Sequence, residues 1–392
     1  MKKLACCILL LAACGDATDD NGSGGQAPPP PGMGSQAQLD ATDQAEFQMV
    51  SRAFAASRAK FNEIWPRPQG AYELHKMPIY LVRRDTSRNE VKGYLLNASQ
   101  APSGATAVAH DSFDGLGQVY RYDAEISVVS GQNFLFGTSF DPKVNGVGMY
   151  VWPYSASDPM SEEGLTNPSN ENHVGTFVHE GFHRYQDVEG AWMRNPEFIQ
   201  DEENYPLNES NIALAILEHK ILLAGLAGDA ATALRQFVAV RATRIADPAN
   251  VVNGTNYVSG VDNGQEWGEG TAEFAERRFM AAMGLSYGSP TLPTLETKLG
   301  LYSQFPTKAS IRSEFGFGRF YATGAAVLQL LASTQVAFVD GTKAGQSPYA
   351  IAAAAHADAA SSERASLVDA AKAAHSYDST IVPEARQLLA LP

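Results

Sequence analysis

Cysteine is nearly absent from this chain. All three, Cys6, Cys7 and Cys14, stand within its first fourteen residues. A disulfide framework and a thiolate metal site are thereby excluded from the rest, and any metal held there must be bound by His, Asp or Glu. Positive charge is also scarce: 29 Lys and Arg face 43 Asp and Glu, for a net charge of −14, with no basic cluster to offset it. That balance argues against nucleic acid as a partner. After the first thirteen residues, no uninterrupted apolar run reaches the ~20 residues of a membrane-spanning helix. A Gly-x-Ser-x-Gly elbow, a phosphate-binding glycine loop and an internal repeat are missing too. Serine hydrolases, P-loop enzymes and solenoids therefore find no support.

What the N-terminus does contain is Met-Lys-Lys followed by an apolar stretch from Leu4 to Ala13. A short positive segment before such a stretch reads as an export signal, too short to span a bilayer. It ends Leu11-Ala12-Ala13-Cys14-Gly15, which resembles the lipobox of bacterial lipoproteins. The resemblance implies cleavage before Cys14, acylation of that cysteine and a lipid-anchored place in the bacterial cell envelope. Gly15 rather than Asp after the cysteine favours the outer membrane. Residues 14–40, rich in Gly, Pro, Asp and Ser, read as a flexible tether.

The remaining ~350 residues can bury a large core. Apolar residues at Phe47, Val50, Phe54 and Phe61 predict a helix over Asp43–Phe61. Strand-like runs follow at Met77–Val82, Gly93–Leu96, Ala105–Ala109, Gln118–Tyr122, Phe134–Gly137 and Val147–Tyr154, separated by Gly, Asn, Asp and Ser. After Asn170 the pattern turns helical, with segments expected near Glu209–Gly225, Asp229–Ile245, Asn263–Met283 and Gly318–Ser333. The expected fold class is α+β. A β-rich lobe over residues 41–170 precedes a mainly helical lobe over residues 171–392, with the functional site in the cleft between them.

The chemistry concentrates in His179-Glu180-Gly181-Phe182-His183. Histidines at i and i+4 project from one helix face and can hold one zinc ion, and the glutamate between them can act as general base on a zinc-activated water. Chance supplies such a pentapeptide in roughly one chain of this composition in a hundred, so a third ligand is needed. The stretch Glu266-Trp267-Gly268-Glu269-Gly270-Thr271-Ala272-Glu273-Phe274 offers one. Its glutamates, with Glu276, recur at helical spacing along one face. By spacing alone that stripe is either a metal-binding face or a solvated acidic one offset by Arg277 and Arg278.

The residue identities add a resemblance. His-Glu-x-x-His followed by Trp-x-Glu-Gly-x-Ala-Glu-Phe resembles the paired zinc motifs of the gluzincin metallopeptidases, distantly the aminopeptidase-N-like and thermolysin-like branches. Tyr321-Ala-Thr-Gly324 resembles a downstream Tyr-x-x-Gly segment of the same group. The resemblance covers residues 176–331. It implies that His179, His183 and Glu269 bind zinc, that Glu180 is the general base and that Tyr321 stabilises the oxyanion. It further implies that Glu273 is a supporting carboxylate on the first zinc histidine, with Glu266 beside it on the same face. The protein would be a zinc-dependent peptidase acting on peptide or protein substrates.

The chain departs from the family pattern in four places. Arg184 follows the second histidine, and Gly181 weakens the helix by about 1 kcal/mol relative to Ala. Glu269 lies 269 − 183 = 86 residues after His183, much further than in the best-known members. Gly146-Val147-Gly148-Met149-Tyr150 lacks the acid and amide of the family's Gly-x-Met-Glu-Asn strand, which shifts the expectation from aminopeptidase to endopeptidase, with this segment as an edge strand for an extended peptide. A non-catalytic, zinc-binding envelope lipoprotein that binds peptide or glycan is the alternative. Elsewhere, His173 reads either as a proton shuttle or as a loop or capping residue, and His219, His356 and His375 as surface residues. Arg241 and Arg244, three apart on one helix face, either brace the site carboxylates or are solvated.

Overall fold

The computed structural model describes residues 38–66, 72–85, 87, 89–109, 113, 115–124, 126, 143–144, 147–156, 171–189, 201–285 and 307–391. The leader over residues 1–13, Cys14, most of the tether and the strand expected at Phe134–Gly137 lie outside the described residues. An N-terminal sheet precedes a mainly helical C-terminal region, so the α+β class holds. The chain divides into two compact units, one of residues up to Ala55 with Leu74–Val174, the other of Ala56–Glu73 with Gly175–Pro392. The stretch Ala56–Glu73, expected with the β-rich lobe, belongs to the helical unit.

In the first unit, the helix α1 (Ala41–Ile64) buries Phe47, Val50 and Phe54 along one stripe. The sheet runs in the order β3 (Thr106–Ala107), β4 (Val119–Arg121), β2 (Glu90–Leu96), β1 (Ile79–Arg84), β7 (Tyr150–Tyr154). β1 pairs antiparallel with β2 and parallel with β7. A strand covered on both faces needs a continuous apolar run, which Ile79-Tyr-Leu-Val82 supplies. Tyr80, Val82, Leu95, Met149 and Val151 form the core on one face. Pro153 has no N–H to give to a ladder and sits in β7, which ends the sheet among the described residues. The edge strand thus begins at Tyr150. Val147-Gly148 forms β6, which pairs with β5 (Lys143–Val144) in a separate ribbon, and Gly146 lies outside the described residues.

Asp43, in the first turn of α1, is fully buried. It accepts from Tyr94 Oη and Tyr154 Oη, both at 2.8 Å, and from Lys92 Nζ at 2.9 Å. These donors, from β2 and β7, offset the cost of taking a carboxylate out of water and pin α1 to the sheet. Burial, with Asp43 beside it, holds the Tyr154 phenol well above its ordinary pKa. His173 is no loop residue: it is fully buried in a helix, with Nε2 2.7 Å from Glu46 Oε2 and its ring against Trp152.

That helix is α2 (Glu171–Glu189), and from Gly175 onward it belongs to the second unit. Two stripes one residue apart divide its surface. Val178, Phe182 and Tyr185 form an apolar stripe against Trp65 and Tyr72, with Trp65–Phe182 ring centroids at 4.9 Å and Tyr72 Oη donating to the Val178 carbonyl at 2.9 Å. His179, His183 and Gln186 form the other.

α3 (Glu209–Ala227) and α4 (Ala230–Ala246) follow as a hairpin, capped by Asn208 and Asp229. α3 is the one described helix long and apolar enough to cross a membrane, and 67% of that window is buried, as in a core helix. A two-stranded ribbon, β8 (Val251–Val252) and β9 (Thr255–Asn256), turns through Asn253-Gly254, both at positive φ. The chain then runs through π-helical turns at Val258–Asp262 and Glu266–Gly270 into α5 (Thr271–Ala282). A short α6 (Lys308–Ser313) and a third π-helical turn at Glu314–Gly318 lead into α7 (Phe320–Ser333). Four short C-terminal helices complete the described chain.

These helices meet around six buried charges. Glu218 on α3, Arg241 and Arg244 on α4, Asp262 and Glu266 on the two π-helical turns, and Arg319 before α7 are all fully buried. Arg241 grips Glu218 at 2.8 and 3.0 Å and Glu266 at 2.8 and 3.1 Å. Arg244 reaches Glu218 at 2.7 Å and Asp262 at 2.8 Å, and Arg319 reaches Asp262 at 2.5 Å. The solvated reading of Arg241 and Arg244 is therefore corrected, as is the surface reading of His219, which is 2% exposed.

Burial alone would raise the Glu218 pKa, but Arg241 and Arg244 outweigh it and bring the group down to about 2. A carboxyl with a depressed pKa stabilises the fold above its ordinary value and loses that contribution as pH falls through its folded value. Denaturant stability of the metal-free protein is expected to drop as pH falls from 4.5 towards about 2. Glu218→Gln should cost about 3–5 kcal/mol at neutral pH and flatten the acid limb. An acid limb unchanged in this variant would show that the stabilisation lies elsewhere.

Candidate metal centre

Three atoms converge from two helical segments. His179 Nε2 and His183 Nε2 are 3.1 Å apart, and Glu269 Oε2 lies 3.3 Å from the first and 3.2 Å from the second. All three residues are buried to within a tenth of their surface. Tetrahedral ligands at roughly 2.0–2.1 Å from zinc stand about 3.3 Å from one another, so the triangle has the dimensions of one face of such a site.

The hydrogen bonds behind the ligands define which ring nitrogens are available. His179 Nδ1 is 3.0 Å from Glu276 Oε2, a carboxylate that accepts, so Nδ1 carries the proton. His183 Nδ1 is 2.6 Å from Gln186 Oε1. In their neutral forms both rings would therefore direct Nε2 lone pairs at the Glu269 oxygen. Two lone pairs and a carboxylate oxygen this close repel one another unless protons or a cation lie between them, and that donor set suits zinc.

Without metal, protons take that role. Burial opposes charge on His179, but Glu269 and Glu276 outweigh it and raise its pKa well above the ordinary value. His183 is also raised, burial again being outweighed, here by Glu269. Glu269 is held well below the usual carboxylate range, since the two imidazolium groups more than offset its burial. Glu180 moves the other way: burial raises its pKa first, and Glu269 and Glu276 add to this against the two histidines. One Glu180 oxygen and one nitrogen of each histidine lie within 4.8 Å of one another.

The structure revises the supporting carboxylates. Glu276, not Glu273, holds the His179 ring. Glu273 instead accepts from Arg277, one turn on, at 2.7 Å. Glu266 faces away from the histidines, taking Arg241 and the Thr323 hydroxyl, the latter at 2.7 Å. Gln186 is a supporting residue that the sequence reading does not single out, although its position three residues after His183 is the available signal.

The turn that carries Glu269 is clamped on several sides. Arg241 and Thr323 hold Glu266, Gln186 Nε2 donates to the Gly268 carbonyl at 3.1 Å, and Trp267 Nε1 donates to the Thr342 carbonyl at 2.8 Å. Gly270 and Gly324 let the turn and α7 touch backbone to backbone: a Cβ on Gly324 would lie 2.7 Å from Gly270 Cα and 2.8 Å from the Glu266 carbonyl. The glycine of Tyr-x-x-Gly is thus a packing residue. The tyrosine of that segment, Tyr321, stacks on His179, with ring centroids 5.6 Å apart and planes at 22°, and Phe317 packs on its edge. Arg184 pairs with Asp187 at 3.0 Å. π-helical turns such as Glu266–Gly270 recur at functional sites.

Comparison with family models, with curated proteins and with solved structures finds no match.

A zinc ion bound at this candidate centre would have to displace protons from His179 and His183, so its affinity should rise with pH from acid to neutral and beyond. Loading the metal-free protein near neutral pH is expected to release protons, as calorimetry in buffers of different ionisation enthalpy reads out. Release of no protons on binding would contradict the assigned ligands.

Proposed function

We propose that this protein is a zinc-dependent metallopeptidase, an endopeptidase with gluzincin-like ligands, carried on a lipid anchor at Cys14 in a bacterial cell envelope. The convergence of His179 Nε2, His183 Nε2 and Glu269 Oε2 is the observation that carries this reading. Zinc bound there would polarise the scissile carbonyl and make water acidic enough to attack at neutral pH.

The remaining steps belong to side chains. Glu180, buried and with a raised pKa, accepts the proton of the attacking water and passes it to the leaving nitrogen. Tyr321 donates to the developing oxyanion, a role supported by its ring stacking on His179. Glu276 and Gln186 keep the two imidazoles turned to the metal. Three ligands leave a position open, as catalytic rather than structural zinc sites do.

Glu180→Gln should retain stoichiometric zinc and lose on the order of 10²–10⁴-fold in kcat on a peptide substrate. Tyr321→Phe should lose on the order of 10²–10³-fold in kcat, with little change in KM. Elemental analysis and steady-state kinetics on a peptide library provide both readouts. Bound zinc without hydrolysis of any peptide by the unmodified protein would favour the non-catalytic binding reading. Absence of near-stoichiometric zinc after purification without chelator would overturn the metal reading itself.

A further inference from the structure

We infer that Gln186 is a positioning residue that joins the histidine arm of the metal centre to its glutamate arm and sets the tautomer of His183. The inference rests on the zinc reading above. Gln186 is fully buried on α2, on the same stripe as the two histidines.

The Gly268 carbonyl oxygen can only accept, so the side-chain group facing it at 3.1 Å must be the amide nitrogen of Gln186. The same nitrogen donates at 2.7 Å to Thr271 Oγ1, whose own proton faces the carbonyls of Trp267 at 2.6 Å and Gly268 at 3.1 Å. With the nitrogen end so defined, the amide oxygen must face His183 Nδ1, at 2.6 Å. An oxygen there requires a proton on Nδ1 and leaves the lone pair on Nε2, the atom that faces His179 and Glu269. The ligand state of His183 therefore follows from the placement of a backbone carbonyl on the opposite arm of the centre.

The same amide also holds the third ligand. Gly268 immediately precedes Glu269 in the π-helical turn. The Gly268 carbonyl is held by the Gln186 amide at 3.1 Å, by the Thr271 hydroxyl at 3.1 Å and by the Thr271 backbone N–H, and the Gln186 bond is the one of these that comes from the histidine helix. The two ligand histidines are thereby backed unequally: His179 by the Glu276 carboxylate, His183 by a neutral amide that also reaches the opposite arm. A glutamate at position 186 could still accept from His183, but would offer no donor to Gly268.

The test compares the zinc-loaded protein with Gln186→Met, which preserves bulk and removes every hydrogen bond, and Gln186→Glu, which keeps only the acceptor. Zinc transfer to a competing chelator should accelerate on the order of 10–100-fold in Gln186→Met and also accelerate in Gln186→Glu. Spectra of isotope-labelled imidazole nitrogens should show a slowly exchanging, hydrogen-bonded proton on His183 Nδ1 in the unmodified protein and in Gln186→Glu, and its exchange broadening in Gln186→Met. Unaltered zinc release in both variants, or an unprotonated His183 Nδ1 in the unmodified protein, overturns the inference alone. If Gln186→Met does not fold, Gln186→Glu and the spectrum of the unmodified protein decide. An unmodified protein that takes up no zinc overturns the zinc reading and this inference together.

Discussion

Three guanidinium groups and three carboxylates share the interior of the helical unit, and its packing depends on their mutual neutralisation. An unpaired charge among these fully buried groups would cost several kcal/mol, so α3, α4, the two π-helical turns and the start of α7 can close only in the register that satisfies all six. Arg241 is the centre of this constraint, because its planar fork binds Glu218 on one side and Glu266 on the other. Neutrality also explains why a chain with so few basic residues places three arginines where no water reaches them.

The metal centre is built on that constraint. Glu266 begins the turn that presents Glu269, so the lattice that orders the helices also orders the carboxylate that meets the two histidines. Thr323 and Gly324 bring α7 against the same turn, and α7 carries Tyr321 to the ring of His179. Glu269, Tyr321 and the hydrogen bonds behind the two histidines thus share one framework.

Much of this is legible in the chain. The order of sheet and helices follows from the change of apolar period near residue 170. The pairing of His179 with His183 follows from helical spacing, and Glu269 is reached through the residues around it. The errors share a cause. By residue type alone, Arg241, Arg244, His173 and His219 read as exposed or loop positions, while the partners that compensate the burial of the first three lie far along the chain or on another element. Glu273 is favoured over Glu276 by the familiar four-residue offset, whereas in the fold the His179 ring meets Glu276 and Glu273 is taken by Arg277.

Local spacing, then, is a property of the chain itself. Residues four apart on a helix share a face in any protein, so the two histidines and their glutamate declare a metal-binding possibility without reference to the fold. Which oxygen meets those nitrogens, which carboxylate stands behind the first ring and which amide stands behind the second depend instead on packing. Those choices rest on distances between helices separated by 86 residues of chain. The distances follow from the close contact of Gly270 with Gly324 and from the pairing of buried charges, neither of which is a property of any single segment.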